Sequence, residues 1–252
     1  MCLIFAALNH HPIYKLIVAA NRDEFYNRKT AAASYWDDFP NVVGGRDLEA
    51  GGTWMGMSTG GKISMLTNYR DPANIMVNAP SRGHLVADYL EQQVNAEDYT
   101  KLVRTKASQY NGFNLIIGTV DELYYLSNYQ DEITRLNNGL YGLSNHLLDT
   151  PWPKVARGKM KLEPLLRKSD LSSGDLMEFL YDDQVATEGL PDTGIGAERE
   201  RALSSMFIKT PTYGSRCSTV VLVGQDNRVQ FTERVYDLDT FEYTTSAFEF
   251  TV

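Results

Sequence analysis

The chain has 252 residues, 43% of them apolar and 22% charged, with a formal net charge of −8. This length can bury a large core in one α/β domain or two small ones, and the acidic balance argues against a nucleic-acid partner. Two cysteines, Cys2 and Cys217, are too few for a disulfide framework and point to a reducing, cytoplasmic setting.

Cys2–Leu8 and Tyr14–Ala20 are β-rich runs joined by Asn9-His10-His11-Pro12, a hairpin pattern with its histidines in a solvated turn. Trp54–Ser58 and Lys62–Asn68 form a second pair across Thr59-Gly60-Gly61. Between the hairpins, Gly44-Gly45 and Gly51-Gly52 read as positive-φ loop positions that shape a pocket wall. Ser81 is the expected N-cap of a helix reaching about Val94, and a second helix is expected over Ala96–Gln109. Strands follow at Phe113–Gly118, Glu122–Ser127 and Leu140–Ser144. Pro153 opens a helix that Pro164 should kink or end. Leu171–Tyr181 is a shorter helix with Ser173 as its cap. Asp182–Gly196 reads as a surface loop, and Glu198–Met206 as a helix. The chain closes with strands at Cys217–Val223, Val229–Tyr236 and Glu242–Phe250.

Short turns between consecutive strands predict antiparallel sheets, and helices arriving in blocks predict a layered α+β fold. Strand sets at both ends suggest that the termini meet in one core. No linker divides the chain, so residues 1–252 read as a single domain. No run approaches the ~18 apolar residues of a spanning helix. The apolar start at Cys2 has no basic lead, so a signal peptide is not expected.

Cys2 becomes the first residue once Met1 is trimmed, which a small second residue favours. It then carries a thiol (reference pKa about 8.5) beside an α-amine (about 7.7–8.0), a nucleophile and a base in one residue. The bland alternative is a small buried hydrophobe at the start of a strand. Asn21-Arg22-Asp23-Glu24 ends an apolar strand with four polar groups. Alternation puts Asn21 and Asp23 on one face and Arg22 and Glu24 on the other, so one pair can face a given pocket. Asn68 and Asn145 stand at strand ends, where an amide can donate to an oxyanion or simply close a turn. Arg216 opens a late strand and can bind a carboxylate or brace a site. Trp54 is a candidate substrate wall or a core residue. The four histidines show no zinc-ligand spacing, and there is no nucleophile-elbow motif. No metal and no cofactor are expected.

Cys2, Asn21–Glu24, Gly51-Gly52-Thr53-Trp54, Ser144-Asn145 and Tyr213–Arg216 together resemble the NRDE family, also called the transport and Golgi organisation family, over essentially the whole chain. The resemblance implies an N-terminal-nucleophile (Ntn) hydrolase-like fold, a four-layer αββα sandwich with two antiparallel sheets. A more distant likeness is to choloylglycine hydrolases and penicillin V acylases, which cleave amides with an N-terminal cysteine. Their supporting groups would fall here near Arg22, Asp23, Asn68, Asn145 and Arg216. Their second-strand motif orders its residues differently, which leaves the amine-side role to Arg22 or Asp23.

The implied activity is hydrolysis of a non-peptide C–N amide of a small molecule. Cys2 attacks, its amine moves the proton, Asn68 and Asn145 stabilise the oxyanion, Arg22 favours the thiolate and Asp23 orients the amine. Arg216 braces the pocket or meets a substrate carboxylate, and Asn21, Glu24 and Trp54 contact substrate. The rival expectation is a non-catalytic carrier of haem or an acyl, lipid-like molecule on the same scaffold. Neither reading sets the oligomeric state.

Overall fold

A computed structural model describes residues 2–252, so the expected removal of Met1 concerns a residue outside the described range. Among the described residues, thirteen strands form two antiparallel sheets. One sheet orders its strands β10-β1-β2-β11-β12-β13: β1 is Cys2–Leu8, β2 Tyr14–Phe25, β10 Gly139–Leu143, β11 Tyr213–Gly224, β12 Arg228–Tyr236 and β13 Tyr243–Thr251. The other runs β3 to β9 in chain order: β3 Thr30–Tyr35, β4 Val42–Asp47, β5 Met55–Ser58, β6 Lys62–Asn68, β7 Phe113–Thr119, β8 Leu123–Ser127 and β9 Thr134–Arg135.

β1 reads CLIFAAL and every residue in it is buried. A strand apolar on both faces must be covered on both faces. Ile4, Ala6, Leu16, Val18 and Val221 face the second sheet, while Leu3, Phe5, Ile17, Ala19 and Val220 face helices. Those helices are α3 (Pro153–Leu165) and α4 (Ser173–Leu180). α3 lies so close to β1 that a Cβ on Gly158 would stand 2.0 Å from the Phe5 ring. The outer face of the second sheet is covered by α1 (Gly83–Glu91) and α2 (Ala96–Lys106), which bury Leu85, Tyr89, Tyr99 and Val103 against Leu66, Leu115 and Ile117. The layers therefore run α, β, β, α, the α+β sandwich expected. A short α5 (Ala197–Ala202) follows the irregular 182–196 segment. The two ends of the chain do meet, since β2 pairs with β11 along eleven residue pairs. No helix among the described residues is long and apolar enough to cross a membrane.

Several local expectations are corrected. Gly44 and Gly45 lie in β4, not in a loop, and only Gly51 of the four glycines has positive φ (79°). Their small size is needed for close approach: a Cβ would meet the Met55 carbonyl oxygen at 2.7 Å from Gly44 and the Trp54 ring at 2.0 Å from Gly45. β3 and β9 were not expected at all. α1 begins after Arg82 instead of Ser81 and stops at Glu91, where the Lys62 ammonium collects the carbonyls of Tyr89, Gln92 and Val94. α4 is capped by Ser172, not Ser173, in a reciprocal box with Asp175. His11 is buried rather than solvated: its Nδ1 accepts from the Ile13 and Tyr14 amides, which leaves Nε2 to donate to the Lys168 carbonyl at 2.8 Å.

Candidate active site

Cys2 pairs with Arg22 across β1 and β2, and Arg22 pairs with Cys217 across β2 and β11. Directly paired residues point to the same face, so these three side chains form a row facing the second sheet. There Trp54 closes on them, with its ring 4.2 Å from the Arg22 guanidinium carbon. Arg22 is 5% exposed, and its charge rests on an indole rather than on an acid. A cleft of about 310 Å³ opens at this point, lined by Cys2, Arg22, Trp54, Asn68, Arg28 and Arg82. Asp23 and Glu24 border it as well.

Burial pushes the Cys2 thiol above its usual range, and the Asp23 charge adds to this. Arg22 and a hydrogen bond from the Asp23 backbone N–H pull it back. Arg22 therefore shares the face of Cys2, while the Asp23 side chain sits on the helix-covered face. There Ser215 Oγ donates to Asp23 Oδ1 at 2.6 Å. Burial raises the Asp23 pKa, with the charge of Lys154 and the Ser215 hydrogen bond opposing it.

A β-bulge on β11 makes that arrangement. The register jumps between Ser215 and Cys217, so Ser215, not Arg216, stands opposite Asp23. Arg216 is turned aside, and its Nη1 donates to the carbonyls of Phe25, Tyr26 and Arg28 at 2.9, 2.9 and 2.7 Å. It thus holds the turn that delivers Arg28 to the cleft, where Arg28 pairs with Asp47 at 2.6 Å and approaches Glu24 at 3.9 Å.

Of the residues singled out from the sequence, Cys2, Arg22, Asp23, Glu24, Trp54 and Asn68 gather at one cleft. The side chain of Asn68 has no hydrogen-bond partner among the described residues. Asn145 is fully buried behind it, and its Nδ2 donates to the Asn68 carbonyl at 3.0 Å. Asn21 faces the helices: its amide donates to the Leu180 and Met206 carbonyls, and its Oδ1 accepts from Ser218. Arg216 lies beside the cleft as a brace. Asn21, Asn145 and Arg216 are not among the cleft's lining residues.

Sequence reasoning missed Arg28, Asp47, Arg82 and Lys154. Arg82 lines the cleft and donates to the Gly112 carbonyl at 2.9 Å. Lys154 is 1% exposed and its pKa is pushed down to about 8 by burial, with Asp23 opposing. Its sequence signal is its position: a base in the first turn of the helix that Pro153 opens. No group of three or more His, Cys, Asp or Glu able to hold a metal ion occurs among the described residues.

The profile of a protein family described as Transport and Golgi organisation 2 matches residues 1–238. The Transport and Golgi organization 2 homolog of Mus musculus is 37% identical over 275 residues, covering 100% of this chain and 99% of its own length. The Bos taurus homolog is 39% identical over 276 residues, with 99% of each chain covered. Among solved structures, the Caenorhabditis elegans ortholog of an N-acylethanolamine-hydrolyzing acid amidase superposes with a TM-score of 0.52 at 13% identity, covering 88% of this chain and 92% of that one. At that identity the likeness is one of fold, and the fold is Ntn hydrolase-like.

Proposed function

The chain belongs to the Transport and Golgi organisation 2 family, and on that premise we propose that it hydrolyses the C–N bond of a small non-peptide amide with Cys2 as the nucleophile. The observation that carries this reading is the register of β1 on β2. It sets the Cys2 thiol beside the Arg22 guanidinium at the wall of a cleft that also holds Asn68. The amidase-like fold supports the same class of chemistry.

In this reading Met1 is removed and the Cys2 amine is free. The thiol proton passes to that amine as sulfur bonds to the amide carbonyl carbon. Arg22 favours the sulfur anion, and the Asn68 amide donates to the developing oxyanion. The amine then returns the proton to the leaving nitrogen as the C–N bond breaks. Water hydrolyses the resulting thioester, releasing the acid and restoring the thiol. Asp23, on the far face of β2, orients the amine. A cleft of about 310 Å³ stands at the small end of the ~300–1,000 Å³ typical of ligand sites, which suits a compact substrate.

The test is hydrolysis of a panel of N-acyl amides by wild type and Cys2→Ala. Turnover of at least one amide that disappears in Cys2→Ala is the expected result. Equal hydrolysis by both proteins contradicts the mechanism. Binding without turnover, equal in both, replaces it with a carrier on the same scaffold.

A further inference from the structure

Three guanidiniums line the cleft, those of Arg22, Arg28 and Arg82, and their partners differ. Arg28 is neutralised: carboxylate oxygens of Asp47, Glu49 and Glu24 stand 2.6, 3.8 and 3.9 Å away. Arg22 is 5% exposed and lies over the Trp54 indole, with no hydrogen bond or ion pair among the described residues. Arg82 forms no ion pair among them either. Its Nη1 donates to the Gly112 carbonyl at 2.9 Å, while its Nε and Nη2 have no partner in the protein and are not sealed in the interior. A guanidinium carries five N–H donors in a planar fork, so most of this one is left open to the cleft. Glu24 is the acid that acts on it most, and Glu24 is engaged elsewhere: its Oε1 accepts from the Phe25 amide at 2.8 Å and its Oε2 faces Arg28.

The open fork is held in place. The Gly112 carbonyl that takes Arg82 also accepts from the Tyr69 backbone amide at 2.9 Å, one residue beyond Asn68. Arg82 and the end of β6 therefore share an anchor. Arg82 and Asn68 both line the cleft and a neighbouring hollow of about 210 Å³ bordered by Tyr69, Pro72 and Ile75. α1 begins directly after Arg82 and turns its N-terminal end to the same wall, where Ser81, Arg82 and Gly83 line the cleft. No acidic side chain occupies its first turn. The positive end of the helix and the guanidinium thus favour negative charge at one point, and neither is paired with an acid of the protein.

We infer that Arg82 is a specificity-determining residue that pairs with a carboxylate carried by the substrate, so that the amides hydrolysed are acidic. The two unpaired guanidiniums divide the work. Arg22, paired with Cys2 across β1 and β2, answers the charge that develops on the sulfur. Arg82 answers a charge that the substrate brings with it. The two coplanar oxygens of a carboxylate match the fork of a guanidinium. The inference rests on the hydrolase reading for the amide bond, and on the geometry of the cleft alone for the anion.

The experiment uses matched pairs of small amides: succinamic acid against isocaproamide, and N-butyrylglycine against N-isobutylbutyramide. In each pair an isopropyl group replaces the carboxylate with little change of shape. Binding is measured by calorimetry on Cys2→Ala, which lacks the nucleophile, and kcat/KM on protein with Cys2 intact. An acid should bind Cys2→Ala at least about 10-fold more tightly than its isostere. The pair that shows this preference locates the carboxylate: on the acyl fragment for succinamic acid, on the amine fragment for N-butyrylglycine. Arg82→Gln, made in Cys2→Ala, keeps a donor for the Gly112 carbonyl and should remove most of the preference. Arg82→Lys, a point charge without the fork, should reduce it and not abolish it. Acids that bind no better than their isosteres in both pairs overturn the inference, and so does a preference that Arg82→Gln leaves unchanged. Should Arg82→Gln fail to fold, Arg82→Lys decides: a reduced preference supports the pairing and an unchanged one overturns it. If wild type turns over none of these amides while the acids are still preferred in binding, the hydrolase reading fails and the anion site stands. If it turns them over with no preference for the acids in binding or kcat/KM, the anion site fails and the hydrolase reading stands.

Discussion

Arg22 presents its charge to the thiol because Trp54, not a carboxylate, is the group stacked on it. Arg28 takes the acids of the cleft instead, pairing with Asp47 and approaching Glu24 and Glu49. Since Arg22 lowers the Cys2 pKa against burial, Arg22→Gln should move the pH midpoint of Cys2 alkylation by iodoacetamide upward. A downward move would show that the guanidinium does not act on the sulfur. Asn68→Ala should cost about 10²–10³-fold in kcat if its amide meets the oxyanion, as steady-state kinetics would report. Gly45→Ala tests how the indole is seated, because the new methyl would occupy the space of the Trp54 ring at 2.0 Å. Overpacking of this kind costs about 1–3 kcal/mol. A shifted tryptophan emission together with a lower thermal midpoint is the expected reading of that variant.

At the scale of elements, the bulge on β11 decides which side chain meets Asp23, and no pattern in the sequence announces it. Tyr213-Gly214-Ser215-Arg216 reads as the start of a strand, but which residue the strand skips depends on its register with β2. The same limit explains β4. Its two glycines look like loop residues until the neighbouring backbone of β5 and the Trp54 ring show why no side chain fits. Long apolar strands such as β1 and β2 were legible, since burial on both faces writes a continuous apolar run. That Arg22 and Asp23 lie on opposite faces was legible too, because alternation along a strand is fixed by the pleat, but which of them shares the face of Cys2 depends on the register of β1 on β2. Arg82 and Lys154 were not, because their partners come from distant strands and helices. A second long-range pair ties α5 to the chain after β6: Arg70 and Glu200 are joined at 2.5 Å with side chains only 7% and 2% exposed. Glu200→Ala would strand the Arg70 charge in the interior, a loss of about 3–5 kcal/mol. It would also free Thr193, which Glu200 holds. Chemical denaturation should show the destabilisation, and limited proteolysis should cut within residues 182–196 faster than in wild type.

Across the whole molecule, the interior carries ionisable groups where a sandwich of this size would be expected to be apolar. Glu233, on β12, lies between the sheets, accepting from the Ala33 amide of β3 at 2.7 Å and from Thr219 at 3.3 Å. Burial raises its pKa above the usual value. A raised carboxylate stabilises the fold while protonated and loses that contribution as pH climbs through its folded value. Glu233→Gln should therefore gain stability relative to wild type as pH rises from about 5 to 8, read as a urea midpoint difference, variant minus wild type, that grows more positive with pH; a difference that grows more negative would contradict the sign. Sheet packing thus brings a row of polar side chains from β1, β2 and β11 into an apolar seam, and the cleft opens where that row meets the second sheet.

The central claim is that Cys2 attacks an amide carbonyl while carrying a free α-amine. It is tested most directly by mass mapping of the N-terminal peptide, purified from its native cell and quenched with acid during turnover of an N-acyl amide. The account predicts a peptide that begins at Cys2 and carries the acyl mass on its sulfur. A peptide that begins at Met1, with its cysteine unmodified while hydrolysis proceeds, would contradict it.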